Sequence, residues 1–365
     1  MAAHTLQVGF VIDGLLPRWP RVWQWLRGCP SSSSVGEMRY GWIAREISHD
    51  PEKRASYSLY RPGKRYDAVI FLKSMSAECQ SLALQLRQAG TRVLFDVNVD
   101  YFTPASGTFY YQGMAPTAQQ TDNARRMAEL CDALIADSSH LAGVCAQHHR
   151  EVRWIPDDVD FRFVPEHRSW KPGPKLDLLW SGESVKLFEL LRIEPVLRRL
   201  APHVRLVLIT NSLSALDRWF EPWKSRFESL LREVEHTIIP FTSVAALLEI
   251  YAQGGVFISP RFLDNSYNLG HTEWKIALPM ACGRVALGTP QQSYCDVAER
   301  SLDRGLRLCE SEEEWLAAFD EILSGRFDFA AEEAAARAVI EQHYSTPVVA
   351  RLHREYLEQI CSHGR

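Results

Sequence analysis

The stretch NLGHTEWKIALPMACG, Asn268 to Gly283, sets glycine, histidine and threonine ahead of a Glu-Trp-Lys triplet and closes an apolar run with Gly283. A charge cluster directly upstream of a buried strand has two readings. It is a capped helix packing on a sheet, or it is a cradle for an anion, because a helix start presents free N–H groups and a favourable field. On both sides the sequence reads as parallel-sheet strand: GVFISP (255–260) before it and GRVALGT (283–289) after it, short apolar runs bounded by Gly, Pro and Thr.

The same alternation fills the chain. Strands are expected at Leu6–Ile12, Tyr66–Leu72, Thr91–Phe95, within CDALIADSS, at VRWIP, Leu176–Trp180, Val204–Thr210 and HTIIPF. Helices are expected at Tyr40–Ile47, Ala77–Ala89, Thr121–Cys131, Leu141–His149, Val185–Leu200, much of Trp219–Val234, Val244–Ala252, Glu312–Leu323, Ala330–Gln342 and Thr346–Cys361. Strands alternating with helices give parallel sheets covered on both faces. VPEHRSWKPGPK, Val164 to Lys175, carries three prolines and several charges and reads as a linker. The expected organisation is α/β: a first domain at 1–165, a linker at 166–175, a second domain at 176–344, and a last helix at 345–365 returning to the first. Ligands of such folds bind beyond the carboxyl ends of the strands. The candidate loops are therefore 13–14, 31–39, 73–76, 96–103, 137–140, 181–186, 211–214 and 260–273.

A length of 365 residues suits two cores, and 46% hydrophobic with 24% charged residues is ordinary for a globular chain. The formal net charge of -4 lacks the basic footprint of a nucleic-acid binder. The eight cysteines show no CxxC spacing, so they read as thiols in a reducing, cytoplasmic setting. The N-terminus reads as a first strand, not a signal peptide, and no run reaches bilayer length. LPRWPRVWQWLRG mixes tryptophan and arginine and fits either interdomain packing or peripheral contact with the inner face of a membrane.

Five phrases in order, from about residue 125 to 290, resemble the GT-B glycosyltransferases, in particular the large retaining family 4: ELCDALIADSSHLAG, VRWIPDDVDFRFVP, LLWSGESVKLFELL, LLEIYAQGGVFISP and TEWKIALPMACGRVALGT. The resemblance implies a GT-B-like fold of two Rossmann-like domains facing each other across a cleft, with the nucleotide sugar on the C-terminal domain and the acceptor on the N-terminal one. It implies transfer of a sugar from a UDP- or GDP-sugar to a glycan, lipid-linked, protein or small-molecule hydroxyl, with no bound metal or other cofactor. Two departures stand out. Gly270 and Leu278 occupy the positions of the family's paired glutamates, and Glu183 stands where an arginine usually follows Gly182. A non-catalytic GT-B-like partner and a nucleotide-sugar epimerase are the alternatives.

A departing diphosphate needs preorganised donors. Gly270 allows close backbone approach, His271 and Thr272 offer side-chain donors, and Lys275 brings a cation one turn on. Gly182 and Lys186 form a second phosphate candidate, Glu249 a ribose candidate, and Ser31–Ser34 with Gly36 and Arg39 a mobile loop closing on the donor. Pro279 should distort the helix it sits in. On the acceptor side Asp96, Asn98 and Asp100 alternate at a strand end and share one face. Asp96 or Asp100 would accept the acceptor's proton; otherwise these residues are turn formers and caps. The Asp158–Asp160 turn reads as hinge structure.

Overall fold

The computed structural model describes residues 4–12, 14, 36–104 and 107–362. The Ser31–Ser34 loop and the tryptophan-rich stretch lie outside them.

The first sheet comprises β1 (Leu6–Ile12), β2 (Ala55–Leu59), β3 (Ala68–Leu72), β4 (Arg92–Val97), β5 (Ala133–Ala136) and β6 (Val152–Trp154), in the order β2-β1-β3-β4-β5-β6. The second comprises β7 (Leu176–Ser181), β8 (Val204–Thr210), β9 (His236–Pro240), β10 (Val256–Ser259), β11 (Ala286–Gly288) and β12 (Leu306–Leu308), in the order β12-β11-β10-β7-β8-β9. Among the described residues, all ten pairings between these strands are parallel. Central strands such as AVIFL of β3 are buried at every residue, because helices cover both faces and leave no place for polar alternation. Strand order reverses between β1 and β3 in one sheet and between β7 and β10 in the other. Those reversals open crevices at the carboxyl ends of the strands.

Among the described residues, three stretches of backbone join the sheets. The chain first passes at Val159, whose N–H donates to Tyr344 O (2.8 Å) while Thr346 N–H donates to Val159 O (3.1 Å). The Thr346 hydroxyl adds a 2.6 Å bond to Asp158. From there the helix Thr346–Ser362 packs Val349, Tyr356 and Leu357 into the core under β1 and β3. The third connection is a strap after β4: Gly107 pairs with Asn265 and Tyr111 with Trp219, which carries Tyr110 and Tyr111 into the core of the second domain.

Local differences from the sequence reading have physical causes. Val185–Leu200 is not one α-helix; Ser184–Ile193 is a ten-residue 3-10 stretch, and the α-helix begins at Glu194. Pro195 has no N–H to continue the ladder backwards, so the tighter winding persists up to it. Pro279, expected to distort its helix, is accommodated inside Trp274–Ala281, fully within the core. β2, β12 and the helix Gln292–Ser301 were not legible. Among the described residues no helix is long and apolar enough to cross a membrane.

Candidate functional site

The second crevice is built around the end of β7. Gly182, at φ 151°, turns the chain off the strand, and a Cβ there would lie 3.1 Å from the Trp180 ring. Its carbonyl accepts from the Thr210 hydroxyl (2.7 Å), and Ser184 N–H donates to Asn211 Oδ1 (2.7 Å), which ties the turn to the end of β8. The 3-10 stretch follows. In that winding residues three apart eclipse, so Lys186 and Glu189 lie on one face.

Three further segments meet that face. Arg261, just beyond β10, is fixed through its backbone N–H to Thr289 Oγ1 (2.9 Å) and places a guanidinium nitrogen 2.6 Å from Glu189 Oε1. Lys275 places Nζ 2.9 Å from Glu189 Oε2 and 4.2 Å from the Trp180 ring centre. Lys186 Nζ lies 3.5 Å from His271 Nε2 and over the Tyr267 ring. Glu189 is fully buried: burial alone would raise its carboxyl, but Arg261 and Lys275 outweigh that and hold it below its ordinary value. Burial pulls Lys275 down to about 7, against the opposing pull of Glu189. Burial, with the charges of Lys186, Arg261, Lys275 and Lys73, keeps His271 neutral far below its ordinary pKa. The ring is held in place by its backbone, whose carbonyl accepts from Ser293 Oγ (2.9 Å) and Gln291 Nε2 (3.1 Å).

The segment Gly270–Lys275 faces inward, against the first domain. A Cβ on Gly270 would lie 3.4 Å from the Asp100 Cβ. The Thr272 hydroxyl donates to Asp157 (2.9 Å) and accepts from Trp274 N–H (3.3 Å), so it is an interdomain tie and is not left free for a ligand. Glu273 is buried with neither carboxyl oxygen partnered among the described residues, and burial and Asp157 push its pKa well up.

On the opposing wall the strand-end residues separate in role. Asp96 is buried against Arg39, which makes 3.0–3.1 Å bonds to it through Nε and also donates to Ile155 O and Asp157. This corrects two expectations. Arg39 uses its guanidinium inside the first domain and not on a donor, and Asp96 is its counter-ion and not a free base. Gly36 is buried immediately before the π-helical turn Glu37–Gly41 that carries Arg39. Asp100 differs: Oδ1 caps the N–H groups of Phe102 and Thr103 (both 2.9 Å), while Oδ2, like Asn98 Oδ1 and Asp137 Oδ1, has no partner among the described residues. Burial and Asp157 push the Asp137 carboxyl well above its ordinary value. Glu249 is exposed, and its charge is felt at Cys282, the end of the helix Trp274–Ala281 away from His271. It therefore stands apart from the cationic cluster.

The structure thus brings together Gly182, Lys186, Gly270, His271 and Lys275 from the sequence expectations. It adds Arg261, Glu189 and Lys73. Lys73 and Arg261 each carried a sequence signal, their places in the candidate loops after β3 and β10, and Glu189 carried none; at Lys73 the backbone is left-handed (φ 53°) and its charge acts on Asp96 and His271.

No protein-family model and no curated protein sequence matches the chain. Solved structures do. Sucrose-phosphate synthase from Thermosynechococcus elongatus aligns at TM-score 0.66 and 13% identity over 98% of this chain and 100% of that one. The Anabaena protein HepE, in complex with UDP and glucose, aligns at 0.63 and 11% over 97% and 100%. A glycosyltransferase from Rickettsia africae aligns at 0.64 and 11% over 98% of each chain. At such identity the likeness establishes the fold, GT-B with two facing Rossmann-like domains.

Proposed function

We propose that the chain is a glycosyltransferase that moves a sugar from a nucleoside-diphosphate donor, a UDP- or GDP-sugar, to an acceptor hydroxyl. The observation that carries this reading is the convergence of Lys186, Arg261 and Lys275 around His271 at the carboxyl ends of β7 and β10, on the wall that faces the other domain. As the sugar–phosphate bond breaks, negative charge grows on the diphosphate, and cations held in place beforehand meet it without reorganisation. The backbone of Gly270 and His271 and the turn at Gly182 would admit the phosphates closely. The UDP complexes of the HepE neighbour support a uridine donor first. The acceptor hydroxyl would approach from the first domain, where Asp100 Oδ2 is an unpartnered carboxylate oxygen that would accept its proton or orient it. Asp96 would act through Arg39, fixing that wall.

Leu278 is buried in the core and Gly270 has no side chain, so neither replaces the paired glutamates of family 4. That observation favours, as a second reading, a GT-B-like protein that binds a nucleotide or glycan without turnover. Calorimetry against UDP, GDP and their sugars, followed by donor hydrolysis and transfer assays, separates the two. The transferase reading expects binding and turnover, with Asp100→Asn reducing kcat by more than donor affinity. Binding without hydrolysis or transfer across a broad acceptor panel would establish the second reading, and no binding would reject both.

A further inference from the structure

The cluster that faces the cleft contains one group that a simple phosphate cradle would not need. Glu189 is fully buried, yet it points at the cations and not away from them: one oxygen lies 2.6 Å from Arg261 and the other 2.9 Å from Lys275. It stands there because Ser184–Ile193 winds as a 3-10 helix, which stacks it directly over Lys186, itself 3.5 Å from His271. Arg261 keeps a further donor, its Nε, buried and without a partner among the described residues. The cations therefore share one carboxylate and retain donor capacity for a second anion.

We propose that Glu189 is the built-in counter-ion of the anion site: it positions Arg261 and Lys275 and offsets part of their charge, so that a nucleoside diphosphate is bound with proton uptake on Lys275 and is released readily. This rests on the reading of the cleft as a nucleoside-diphosphate site. The charge count follows from the contacts. Without ligand, one carboxylate serves two cations, and burial leaves the Lys275 ammonium near its midpoint at about 7. A diphosphate brings the negative charge that burial withholds, and the amine gains its proton as the ligand binds. Glu189 is thus a positioning residue whose effect appears in affinity and in its pH dependence.

The test uses the full chain and UDP. Calorimetry at pH 8 in two buffers of different ionisation enthalpy should show net uptake of a proton on UDP binding by the unaltered protein. UDP's own phosphates are fully ionised there and cannot account for it. Lys275→Arg, whose guanidinium stays charged at every pH used, should bind UDP without that uptake, which separates Lys275 from His271 as the acceptor of the proton. Glu189→Gln keeps the side-chain shape and removes the charge, and should bind UDP roughly tenfold more tightly, as one fewer opposing charge near the ligand requires. UDP binding with no proton uptake, or uptake that persists in Lys275→Arg, would overturn the inference while leaving the functional reading intact. Unchanged or weaker UDP affinity in a folded Glu189→Gln would do the same. Should that variant not fold, the two-buffer comparison still decides. Absence of UDP binding by the unaltered protein would overturn both.

Discussion

Lys275 shows how one residue takes its meaning from its surroundings. On the sequence it is a lysine one turn into a helix, equally at home in solvent. In the fold it lies against Trp180 at 4.2 Å and shares Glu189 with Arg261. Lys275→Ala should weaken UDP binding roughly tenfold to a hundredfold, in line with about 1.5–3 kcal/mol for a hydrogen bond to a charged group, with the fold retained by circular dichroism. Unchanged affinity would remove Lys275 from the site. Glu273, three residues after Gly270, carries the opposite lesson. Its buried carboxyl lacks a partner among the described residues, and its pKa is raised by burial and by Asp157. A raised carboxyl pKa means that the folded state holds the proton longer than the unfolded one, so this group costs stability increasingly as pH climbs above the ordinary carboxylate range. Glu273→Gln should therefore raise the Tm more at pH 8 than at pH 5. A Tm gain that is equal at both values, or larger at pH 5, would mean that the carboxyl is ionised in the fold. Lys186, His271 and Lys275 were legible because a motif places them on the chain. Arg261 fell in a candidate loop without being singled out and Glu189 fell in none, because their meeting depends on β10 lying beside β7 and on a 3-10 winding that no local pattern announces.

Among elements, apolar period decided what could be read. Val204–Thr210, Val244–Ala252 and Glu312–Leu323 appear in the fold with the bounds their patterns give, because each buries a continuous run or one helical face. Ala55–Leu59 alternates small and polar residues at a sheet edge, and Leu306–Leu308 is only three residues long, so neither leaves a comparable trace. The strap after β4 had no place in the sequence reading, since its tyrosines enter the core of the other domain and not that of their own. Its register hangs on Gly107, held at φ 91°, where a Cβ would fall 1.6 Å from the Asp264 carbonyl oxygen. Gly107→Ala cannot keep that approach. It should lower the Tm by several degrees, as about 1–3 kcal/mol at a strained site implies, and raise hydrogen exchange in 107–114 above the rest of the chain. Protection unchanged in that segment would show that the strap does not depend on this contact.

The whole molecule is two parallel sheets of like build, facing each other and tied at Val159, at Thr346 and by the strap. The two parallel sheets were legible early, because strand–helix alternation is a pattern along the chain; that they face each other was implied only by the GT-B resemblance. The chemistry of the crevice was legible only in part, since it is assembled from the ends of β3, β7 and β10 and from the segment 270–275. A ligand that binds only the folded state favours it by mass action, so UDP should raise the Tm in proportion to the logarithm of its concentration. The most direct measurement is a crystal structure of the protein with UDP or a UDP-sugar. The expected result is a diphosphate in the cleft within hydrogen-bond reach of Arg261, Lys275 and the backbone of Gly270–His271. Nucleotide density lodged elsewhere, with Lys186, Arg261 and Lys275 untouched, would contradict it.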